Sequence, residues 1–247
     1  MIGCGVDVNQ QDEHGQTPLL LCCIHGNTEL ASLLIESSIS GHLAEPIEVD
    51  QADSRGLTPL NCASIKGDLE MVKNLVSRGN ANTNQSSPKG CTPLMYAGRG
   101  GYSECVRFLL EKKASALKQD NAGGTVLHHT IEKGHTAVLE TLLEHGVDVY
   151  SVIEVADNAG RTPIFEAVEN MLEDFETTSA VEIINILTRK KALNGFGAKV
   201  NILNYQGQTP LFSAAREGNI EAVRALIAVG ARVDLNNGEL VKPEEDC

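Results

Sequence analysis

Apolar residues recur along the chain in pairs of short runs, and a glycine separates the two runs of most pairs. The first run follows a Thr-Pro step, as in GQTPLLLCCIHG at residues 15–26. The second run has apolar residues at intervals of three and four, as in ELASLLI at residues 29–35. This spacing puts the apolar side chains on one face of a helix. Each pair of runs therefore predicts two amphipathic helices.

The first run recurs in register along the chain. It starts at six glycines, separated by 41, 34, 33, 37 and 47 residues: Gly15, Gly56, Gly90, Gly123, Gly160 and Gly207. A repeat of about 33 residues with insertions accounts for these intervals. The excess lengths predict insertions near 37–46 and 150–155, and at 168–182 and 191–207. Such insertions often map to binding faces, although drift in tolerant surface loops explains them equally well.

Within one repeat, the residue types indicate where helices begin and end. Threonine is favoured as an N-cap, and proline is favoured at the first helical position, where its missing N–H costs nothing. A glycine that can adopt a left-handed conformation is favoured at the end of the first helix. The glycines predicted to do this are Gly26, Gly67, Gly101, Gly134 and Gly218. Met171 replaces the expected glycine in the fifth repeat, which predicts an elongated helix pair there.

Five of the six first runs contain Thr-Pro-Leu or Thr-Pro-Ile, and the sixth has TVLH at residues 125–128. With the 33-residue period, this pattern resembles the ankyrin repeat family over essentially the whole chain, from about residue 5 to 234. The resemblance implies an all-α solenoid of stacked antiparallel helix pairs with projecting β-hairpin-like loops. It also implies that His128 hydrogen-bonds to the backbone or to threonine.

The repeat pattern divides the chain into seven segments. We expect a partial repeat, the tail of a preceding one, and then six repeats, the fifth with insertions and the sixth with an acidic tail: 1–14, 15–55, 56–89, 90–122, 123–159, 160–206 and 207–247. The last helix shows an apolar face without a polar capping repeat: Ile220, Val223, Leu226 and Ile227. Terminal repeats normally need a polar outer face. We therefore expect the chain to be a piece of a larger protein or a truncated isoform.

Composition narrows the partners. The chain has 247 residues, 42% of them hydrophobic, and a formal net charge of −13. Such a charge repels nucleic acid and anionic membranes on average, so protein or peptide partners are favoured. No apolar run reaches the roughly 20 residues of a membrane span. Seven cysteines without a regular framework, and no signal peptide, predict a reducing compartment, the cytoplasm or nucleus.

Cys22 and Cys23, with His25 nearby, raise the alternatives of a metal site and of a nucleophile with its base. However, a closed zinc site requires four ligands, and no second ligand pair is suitably spaced. The two cysteines align with Ala63 and Ser64 of the next repeat, which indicates packing against a neighbouring helix. No P-loop spacing is present. We predict no metal, no cofactor and no enzymatic activity.

An acidic run occupies the fifth repeat: Glu166, Glu169, Glu173, Asp174, Glu176 and Glu182. It does not match a calcium-binding loop. It predicts a solvated face, and a surface for a basic partner is the alternative interpretation.

In the resembled family, partners contact the loop tips and the exposed side of the first helices. The corresponding positions predicted to bind protein are Ile24, His25, Arg55, Leu57, Ile65, Lys66, Lys89, Cys91, Arg99, Glu132, Lys133, Tyr205 and Arg216. In the second and third repeats these positions are basic, with no interrupting acid, and neighbouring positions are apolar. Apolar positions rimmed by charge favour a protein-binding patch for an acidic segment with aliphatic anchors.

The predicted function is a non-catalytic protein–protein interaction scaffold that binds a protein or peptide on its concave face and loop tips. The alternative is a targeting or substrate-recruitment domain of a larger enzyme or channel, such as a kinase, a ubiquitin ligase or a tankyrase-like ADP-ribosyltransferase. A structural spacer without a defined ligand is a third interpretation, which a patch-free surface would favour.

Overall fold

The computed structural model describes residues 7–43, 45–145, 149–169, 177–189 and 197–233. Over these ranges the regular structure is thirteen α-helices and one π-helical segment, without strands. The first helices of the pairs are α1 Pro18–His25, α3 Pro59–Lys66, α5 Pro93–Arg99, α7 Val126–Glu132, α10 Pro163–Glu169 and α12 Pro210–Arg216. The predicted all-α class is confirmed.

A second helix follows each first helix. These are α2 Thr28–Ile39, α4 Leu69–Lys73 with the π-helical segment Asn74–Arg78, α6 Ser103–Glu111, α8 Thr136–Glu144, α11 Thr177–Thr188 and α13 Ile220–Ala228. One additional short helix, α9 Val149–Ile153, lies between the fourth and fifth pairs. The pairing confirms the two amphipathic helices predicted for each repeat, while the repeat boundaries stay a prediction.

The helix ends follow the predicted chemistry. The side chains of Thr17, Thr58 and Thr92 each accept a hydrogen bond from the N–H three residues later, at 3.2 to 3.3 Å. A proline follows each of them at the start of the helix. The five predicted glycines all have φ between 68° and 78°, a left-handed conformation that glycine adopts without steric cost. The predicted starts of the first helices and their predicted stops at these five glycines are therefore confirmed.

The chain forms two units, Met1–Asn121 and Ala122–Cys247. In the first unit, α3 packs between α1 and α5, and in the second, α10 packs between α7 and α12. The leucine that follows the Thr-Pro step is buried in each first helix of the first unit, at Leu19, Leu60 and Leu94. A single pair could not bury this residue, so the core of each unit depends on neighbouring pairs.

Several of the loops that connect the repeats are held by hydrogen bonds from their own backbone N–H groups to an aspartate side chain. In the loop before α3, Asp53 Oδ1 accepts from the backbone N–H groups of Arg55 and Leu57, both at 2.9 Å. Asp157 does the same before α10, for Ala159 at 2.8 Å and Arg161 at 2.9 Å. These turns fix the loop tips as hairpin-like projections.

Neighbouring loop tips are also joined through the main chain. In the first unit the N–H of Ser54 donates to His14 O at 2.9 Å, and the N–H of Asn121 donates to Lys89 O at 3.0 Å. In the loop that lies between these two loops in the sequence, the residue equivalent to Ser54 and Asn121 is Pro88, which has no N–H to donate. The tip of the third repeat therefore lacks one of the main-chain links to the tip before it.

The predicted insertions have different structures. The excess near 37–46 extends α2 to twelve residues, and the excess near 150–155 forms α9, which buries Val152 and Ile153. Around 168–182, α11 is also twelve residues long, but α10 has the seven residues of several other first helices. Elongation is therefore seen in the second helix of the fifth pair, and residues 170–176, which include Met171, and residues 190–196 lie outside the described residues.

Cys22 and Cys23 are both buried, as packing residues should be. Burial raises the pKa of each thiol above its ordinary value. The aligned residues of the next repeat, Ala63 and Ser64, are fully buried as well. Ala215, which aligns with Cys23 in the sixth repeat, is exposed instead, because α12 has no further described helix pair beside it.

We expect the double variant Cys22→Ala, Cys23→Ala to fold and to lose about 1–2 kcal/mol of stability, because two sulfur atoms leave a packed core. Chemical denaturation measures this loss. Metal retained by the wild type and lost by the variant would contradict the packing role, as would rapid alkylation of these thiols in the folded protein.

The outer helix pairs bury their apolar residues less completely. Leu30 and Leu33 of α2 are exposed, whereas Met71 of α4, the equivalent of Leu30, is buried. At the other end, Ile220 and Ile227 are exposed. The predicted apolar face of the last helix is thus only partly correct, because Leu226 points into the core and is fully buried.

Candidate protein-binding surface

The C-terminal turns of α1 and α3 lie side by side in the first unit. Ile24 is half-buried at the end of α1, while Ile65 of α3 is 42% exposed. Leu57, in the loop before α3, is also half-buried. The Lys66 ammonium donates a hydrogen bond to the carbonyl oxygen of Ile24. A cation at a helix C-terminus is favourable, so Lys66 joins the two helix ends while its charge stays at the surface.

Arg55 is held in place at the tip of the loop before α3. Its Nε and Nη2 atoms lie 3.0 and 2.9 Å from Asp53 Oδ2, and the Asp53 side chain is buried. The expectation that no acid interrupts the basic residues is therefore wrong at Arg55. Because Asp53 also caps the turn, Arg55 presents a positioned guanidinium with much of its charge compensated.

Two further cations lie at the surface of the first unit, Lys89 at the tip of the loop before α5 and Arg99 at the end of α5. Cys91, predicted to add exposed apolar atoms beside them, is buried, so its sulfur packs against the protein. Burial raises the pKa of the Cys91 thiol, as does Asp120, whose Oδ2 atom lies 3.9 Å from Sγ. The prediction that Cys91 is exposed at the surface is thus wrong.

Tyr96 is a residue of this region that the sequence did not single out. Its hydroxyl donates to Ser87 Oγ at 3.0 Å, and Ser87 stands where the second repeat has the turn-capping Asp53. Burial raises the pKa of the Tyr96 hydroxyl. The sequence offered one signal for the Tyr96–Ser87 hydrogen bond. Serine stands at position 87, where the neighbouring repeat has the aspartate Asp53.

The glycine-rich stretch 98–101 has a packing role. A Cβ atom added to Gly100 would lie 2.2 Å from the Tyr102 ring, and one added to Gly67 would lie 2.3 Å from the same ring. Both glycines therefore leave the space that the Tyr102 side chain fills.

In the second unit the predicted binding positions are charged or aromatic. Glu132 Oε1 lies 3.1 Å from Lys133 Nζ at the end of α7, and both side chains are about one-third exposed. Arg216 lies at the end of α12, where its Nε is 2.9 Å from Glu217 Oε1. Tyr205 is 78% exposed at the loop tip before α12.

Arg161 forms the centre of an ion-pair network in the second unit. Its guanidinium lies 2.7 Å from Asp157 Oδ2, 3.3 Å from Glu166 Oε1 and 3.1 Å from Glu169 Oε2. The side chains of Glu166 and Glu169 are only 12% and 15% exposed. For these two residues the predicted solvated face is therefore wrong, because Arg161 draws them inward.

The rest of the acidic run is arranged differently. Glu182 is exposed on α11, as predicted, and Glu173, Asp174 and Glu176 lie outside the described residues.

Two opposing effects set the pKa values of Asp157 and Glu166: burial raises them, and pairing with Arg161 lowers them. Burial raises the pKa of Glu166, an effect that Arg161 opposes and that Asp157, Glu169 and Glu132 reinforce. Burial would also raise the pKa of Asp157, but hydrogen bonds from Arg161 and from backbone N–H groups hold that pKa below its ordinary value. The network therefore holds Asp157 firmly ionised and Glu166 less so.

His128 makes the hydrogen bonds that the sequence resemblance implied. Its Nδ1 accepts from the Thr125 N–H at 3.1 Å, so the other ring nitrogen carries the proton and donates to Arg161 O at 3.1 Å. Burial lowers the pKa of His128. The neutral imidazole thus links one repeat to the next.

A comparison with protein families finds a match to the model described as ankyrin repeats (3 copies), over residues 1–86, 36–120, 66–153, 114–190 and 157–237. Neurogenic locus notch homolog protein 1 of Mus musculus is 30% identical over 176 residues, or 70% of this chain. The chain spans only 6% of the length of that relative. No helix of the described residues is long and apolar enough to cross a membrane.

Solved structures of the same fold resemble the chain over most of its length. The ankyrin repeat domain of Bcl-3, a member of the IkappaB protein family, has a TM-score of 0.72 and 28% identity and covers 92% of this chain and 91% of its own. The ankyrin repeat protein EF0377 has a TM-score of 0.71 and 26% identity and covers 90% of this chain and 98% of its own.

Proposed function

Since the chain belongs to the ankyrin repeat family, whose arrays generally mediate protein–protein interaction and are generally not enzymes, we propose that its first unit binds an acidic segment of another protein. The binding surface consists of the loop tips and the C-terminal turns of α1, α3 and α5. We call it the basic surface and define it by Ile24, Leu57, Ile65, Lys66, Lys89 and Arg99.

The observation that carries this proposal is the exposure of Ile65 directly beside Lys66. Ile65 is 42% exposed at the end of α3, although the fold does not require an isoleucine there, since α5 ends with Arg99 at the equivalent position. Leu57 and Ile24 are partly exposed as well and add apolar atoms to the proposed surface. Exposed apolar side chains rimmed by charge are typical of protein-binding sites.

The charges of the basic surface favour an acidic partner. Lys66, Lys89 and Arg99 are all exposed. Arg55 lies at the same edge, but Asp53 compensates its charge, so we assign it a positioning role as a fixed hydrogen-bond donor. Opposite charges across an interface increase the association rate and the specificity more than the affinity. We therefore propose that aliphatic anchors provide most of the binding energy and that acidic residues guide the encounter.

The same surface would also serve a recruitment domain within a longer protein. This second candidate is favoured by the length of the Neurogenic locus notch homolog protein 1 relative, of which the chain spans only 6%. In either setting, the buried free thiols of the described residues favour a reducing compartment.

The proposal is tested by selecting peptides from a random display library on the intact chain and measuring their affinities. We expect acidic peptides with an aliphatic residue among those selected. The double variant Lys66→Glu, Lys89→Glu should bind them about ten-fold more weakly, because two attractive charges become repulsive. Raising the salt concentration from about 0.05 to 0.5 M should also weaken binding to the wild type, because exposed charges are screened.

The matched control is Lys112→Glu, Lys118→Glu, which makes the same charge change at exposed positions of the first unit outside the basic surface. The proposal is wrong if the control weakens binding as much as the surface variant does, since only net charge would then matter. Equal binding by the wild type and the surface variant at low salt would contradict it as well.

A further inference from the structure

The loop before α5 lacks a side-chain acceptor that four other loops have. In each of those four loops, one side-chain oxygen accepts hydrogen bonds from the backbone N–H groups two and four residues later, at 2.8 to 3.0 Å. The oxygen belongs to Asp12, Asp53, Asp157 and Asn204. At the equivalent position the loop before α5 has Ser87, so this turn has no carboxylate or amide oxygen.

The main chain of this loop nevertheless forms the same turn. The N–H of Ser87 donates to Cys91 O at 2.9 Å, and the N–H of Gly90 donates to Ser87 O at 2.8 Å. The corresponding bonds of the loop before α3 measure 3.0 and 2.8 Å. Ser87 Oγ accepts from the Tyr96 hydroxyl at 3.0 Å. In the described part of the chain, no group accepts a hydrogen bond from the N–H of Lys89 or of Cys91.

A serine hydroxyl is too short to replace the carboxylate. Its oxygen is bonded directly to Cβ, whereas the carboxylate oxygens of an aspartate lie one bond further out. In a phosphoserine the terminal oxygens lie two bonds beyond Oγ, and all three are strong hydrogen-bond acceptors. A phosphate on Ser87 would therefore reach the N–H groups of Lys89 and Cys91, which the hydroxyl does not.

The charges around this turn favour an anion. Lys89 takes the place of Arg55, whose guanidinium lies 2.9 Å from the turn aspartate of its own loop. Among the described residues, no carboxylate pairs with the exposed Lys89 ammonium. Burial and Asp120 raise the pKa of the nearby Cys91 thiol, and the charges of Arg99 and Lys89 oppose that rise. Two cations and two N–H donors would thus stabilise a phosphate against one carboxylate.

The sequence around Ser87 is also a recognisable kinase substrate. Pro88 and Lys89 follow it directly, and proline-directed protein kinases phosphorylate a serine that precedes a proline, preferably with a basic residue nearby. Five threonines also precede a proline, which is followed by leucine or isoleucine: Thr17, Thr58, Thr92, Thr162 and Thr209. All five are buried at the start of a first helix. They provide internal controls for the modification.

Access to Ser87 requires only a local opening of the loop tip. Ser87 is buried, but Ser86, Pro88 and Lys89 are exposed. Because Pro88 has no N–H, this tip lacks the main-chain bond that ties Ser54 to the preceding loop. Loop tips open at a lower cost in free energy than packed helices. Access to one of the five threonines would instead unravel the first turn of a buried helix.

We propose that Ser87 is a phosphorylation site for a proline-directed protein kinase and that the phosphate completes the turn. Ser87 Oγ attacks the γ-phosphorus of ATP held by the kinase, and the Oγ–P bond forms. The bond from that phosphorus to the leaving ADP breaks, and the hydroxyl proton passes to the catalytic base of the kinase. The phosphate then accepts from the N–H groups of Lys89 and Cys91 and pairs with the Lys89 ammonium. This modification does not depend on the function proposed for the first unit.

The first test incubates the intact chain with ATP and a purified kinase that requires a proline after the acceptor serine. Tandem mass spectrometry should locate a phosphate at Ser87 and none on the five threonines that precede a proline. Ser87→Ala should lower the incorporation at least about ten-fold, because the acceptor hydroxyl is lost. The matched control is Ser86→Ala, at the exposed neighbouring serine, which should leave the incorporation unchanged.

The second test follows the amides of the loop by hydrogen exchange, measured residue by residue with NMR. Phosphorylation should slow the exchange of Lys89 and Cys91 at least about five-fold, because both N–H groups gain an acceptor. Ser87→Asp should slow the same two amides without a kinase, because it restores the carboxylate of the other turns. Ser86→Asp adds the same charge outside the turn and should leave both amides unchanged.

Three results would overturn the proposal. They are the absence of phosphate at Ser87, equal phosphorylation of Ser87 and of any of the five threonines, and unchanged exchange of both amides in the phosphorylated chain. If circular dichroism shows that Ser87→Ala disturbs folding, the position of the phosphate in the wild type decides the question. Neither test measures the binding of acidic peptides, so this proposal and the function proposed for the first unit can fail separately.

Discussion

Replacing Arg161 with methionine is expected to lower the free energy of unfolding by about 3 kcal/mol at neutral pH. The reason is that Asp157, Glu166 and Glu169 would all stay at least 85% buried without the guanidinium that pairs with them. Breaking a buried ion pair by removing one partner costs about 3–5 kcal/mol. Arg161 itself is 34% exposed, so solvent screening favours the lower end of this range. Urea denaturation followed by circular dichroism measures the loss.

The pH dependence separates this electrostatic cause from a loss of packing. In the wild type the pKa of Asp157 is lowered, so its stabilising contribution is present at neutral pH and is lost as the pH falls through that lowered value. In the variant, burial without the guanidinium raises carboxyl pKa values above those of the unfolded chain. The native state then binds protons first and gains stability as the pH falls from about 7 towards 4. The difference in unfolding free energy between the wild type and Arg161→Met should therefore decrease as the pH falls.

Arg224→Met provides the control, because Arg224 is exposed on α13 of the same unit. We expect it to change the stability by less than about 0.5 kcal/mol. A gap between the wild type and Arg161→Met that is the same at pH 4 and pH 7 would contradict the electrostatic explanation.

Replacing His128 with asparagine is expected to lower the stability by about 2 kcal/mol at pH 7.5. Asparagine can still accept from the Thr125 N–H, as Asn61 does from Thr58 at 3.1 Å. It is too short to reach the carbonyl of Arg161, which His128 bonds at 3.1 Å. The cost combines the lost hydrogen bond with a small cavity. Equilibrium denaturation of both proteins measures the difference.

The dependence on pH again has a defined sign. Because burial lowers the pKa of His128 in the folded protein, the unfolded chain binds the proton first. The wild type should therefore lose stability as the pH falls from about 6.5 towards the lowered pKa, and the variant should lack this loss. The difference in unfolding free energy between the wild type and His128→Asn should therefore decrease below pH 6.5. If it increases instead, the interpretation of His128 as a neutral, buried imidazole is wrong.

Asn61→His is the converse variant. Asn61 is fully buried, and its Nδ2 atom has no hydrogen-bond partner within the protein. A histidine there would be long enough to reach the carbonyl of Cys91, the counterpart of Arg161 in the third repeat. We expect a gain of about 1 kcal/mol from this hydrogen bond.

The fold was predictable because each of its determinants is local in sequence. Threonine, proline and the closing glycine mark the ends of the first helices, and the leucine spacing marks their buried faces. Repetition then predicts the stacking, because no pair can bury its apolar face alone. Lengths were less predictable. The excess residues near 150–155 formed a helix that buries Val152 and Ile153, since apolar residues in an insertion can find a core as well as solvent.

The surfaces were predictable only in part, because pairing across loops has no short-range signal. Arg55 and Asp53 are two residues apart, yet only the folded loop shows that the carboxylate both caps the turn and holds the guanidinium. Glu166 and Glu169 are predicted to be solvated by their charge, but Arg161, just before α10, draws them inward. Cys91 is predicted to be exposed from its register, but it is buried, with its sulfur 3.9 Å from Asp120 Oδ2 on the next loop.

The binding of an acidic segment to the basic surface is the central claim, and hydrogen–deuterium exchange of the intact chain tests it most directly. Exchange is compared with and without a saturating concentration of an acidic peptide selected on the wild type. The claim predicts slower exchange in the loops at 53–57 and 87–91 and in the last turns of α1 and α3, with little change in the second helices. Protection confined to the second helices, or no protection at Ile65 and Lys66 at saturation, would contradict it.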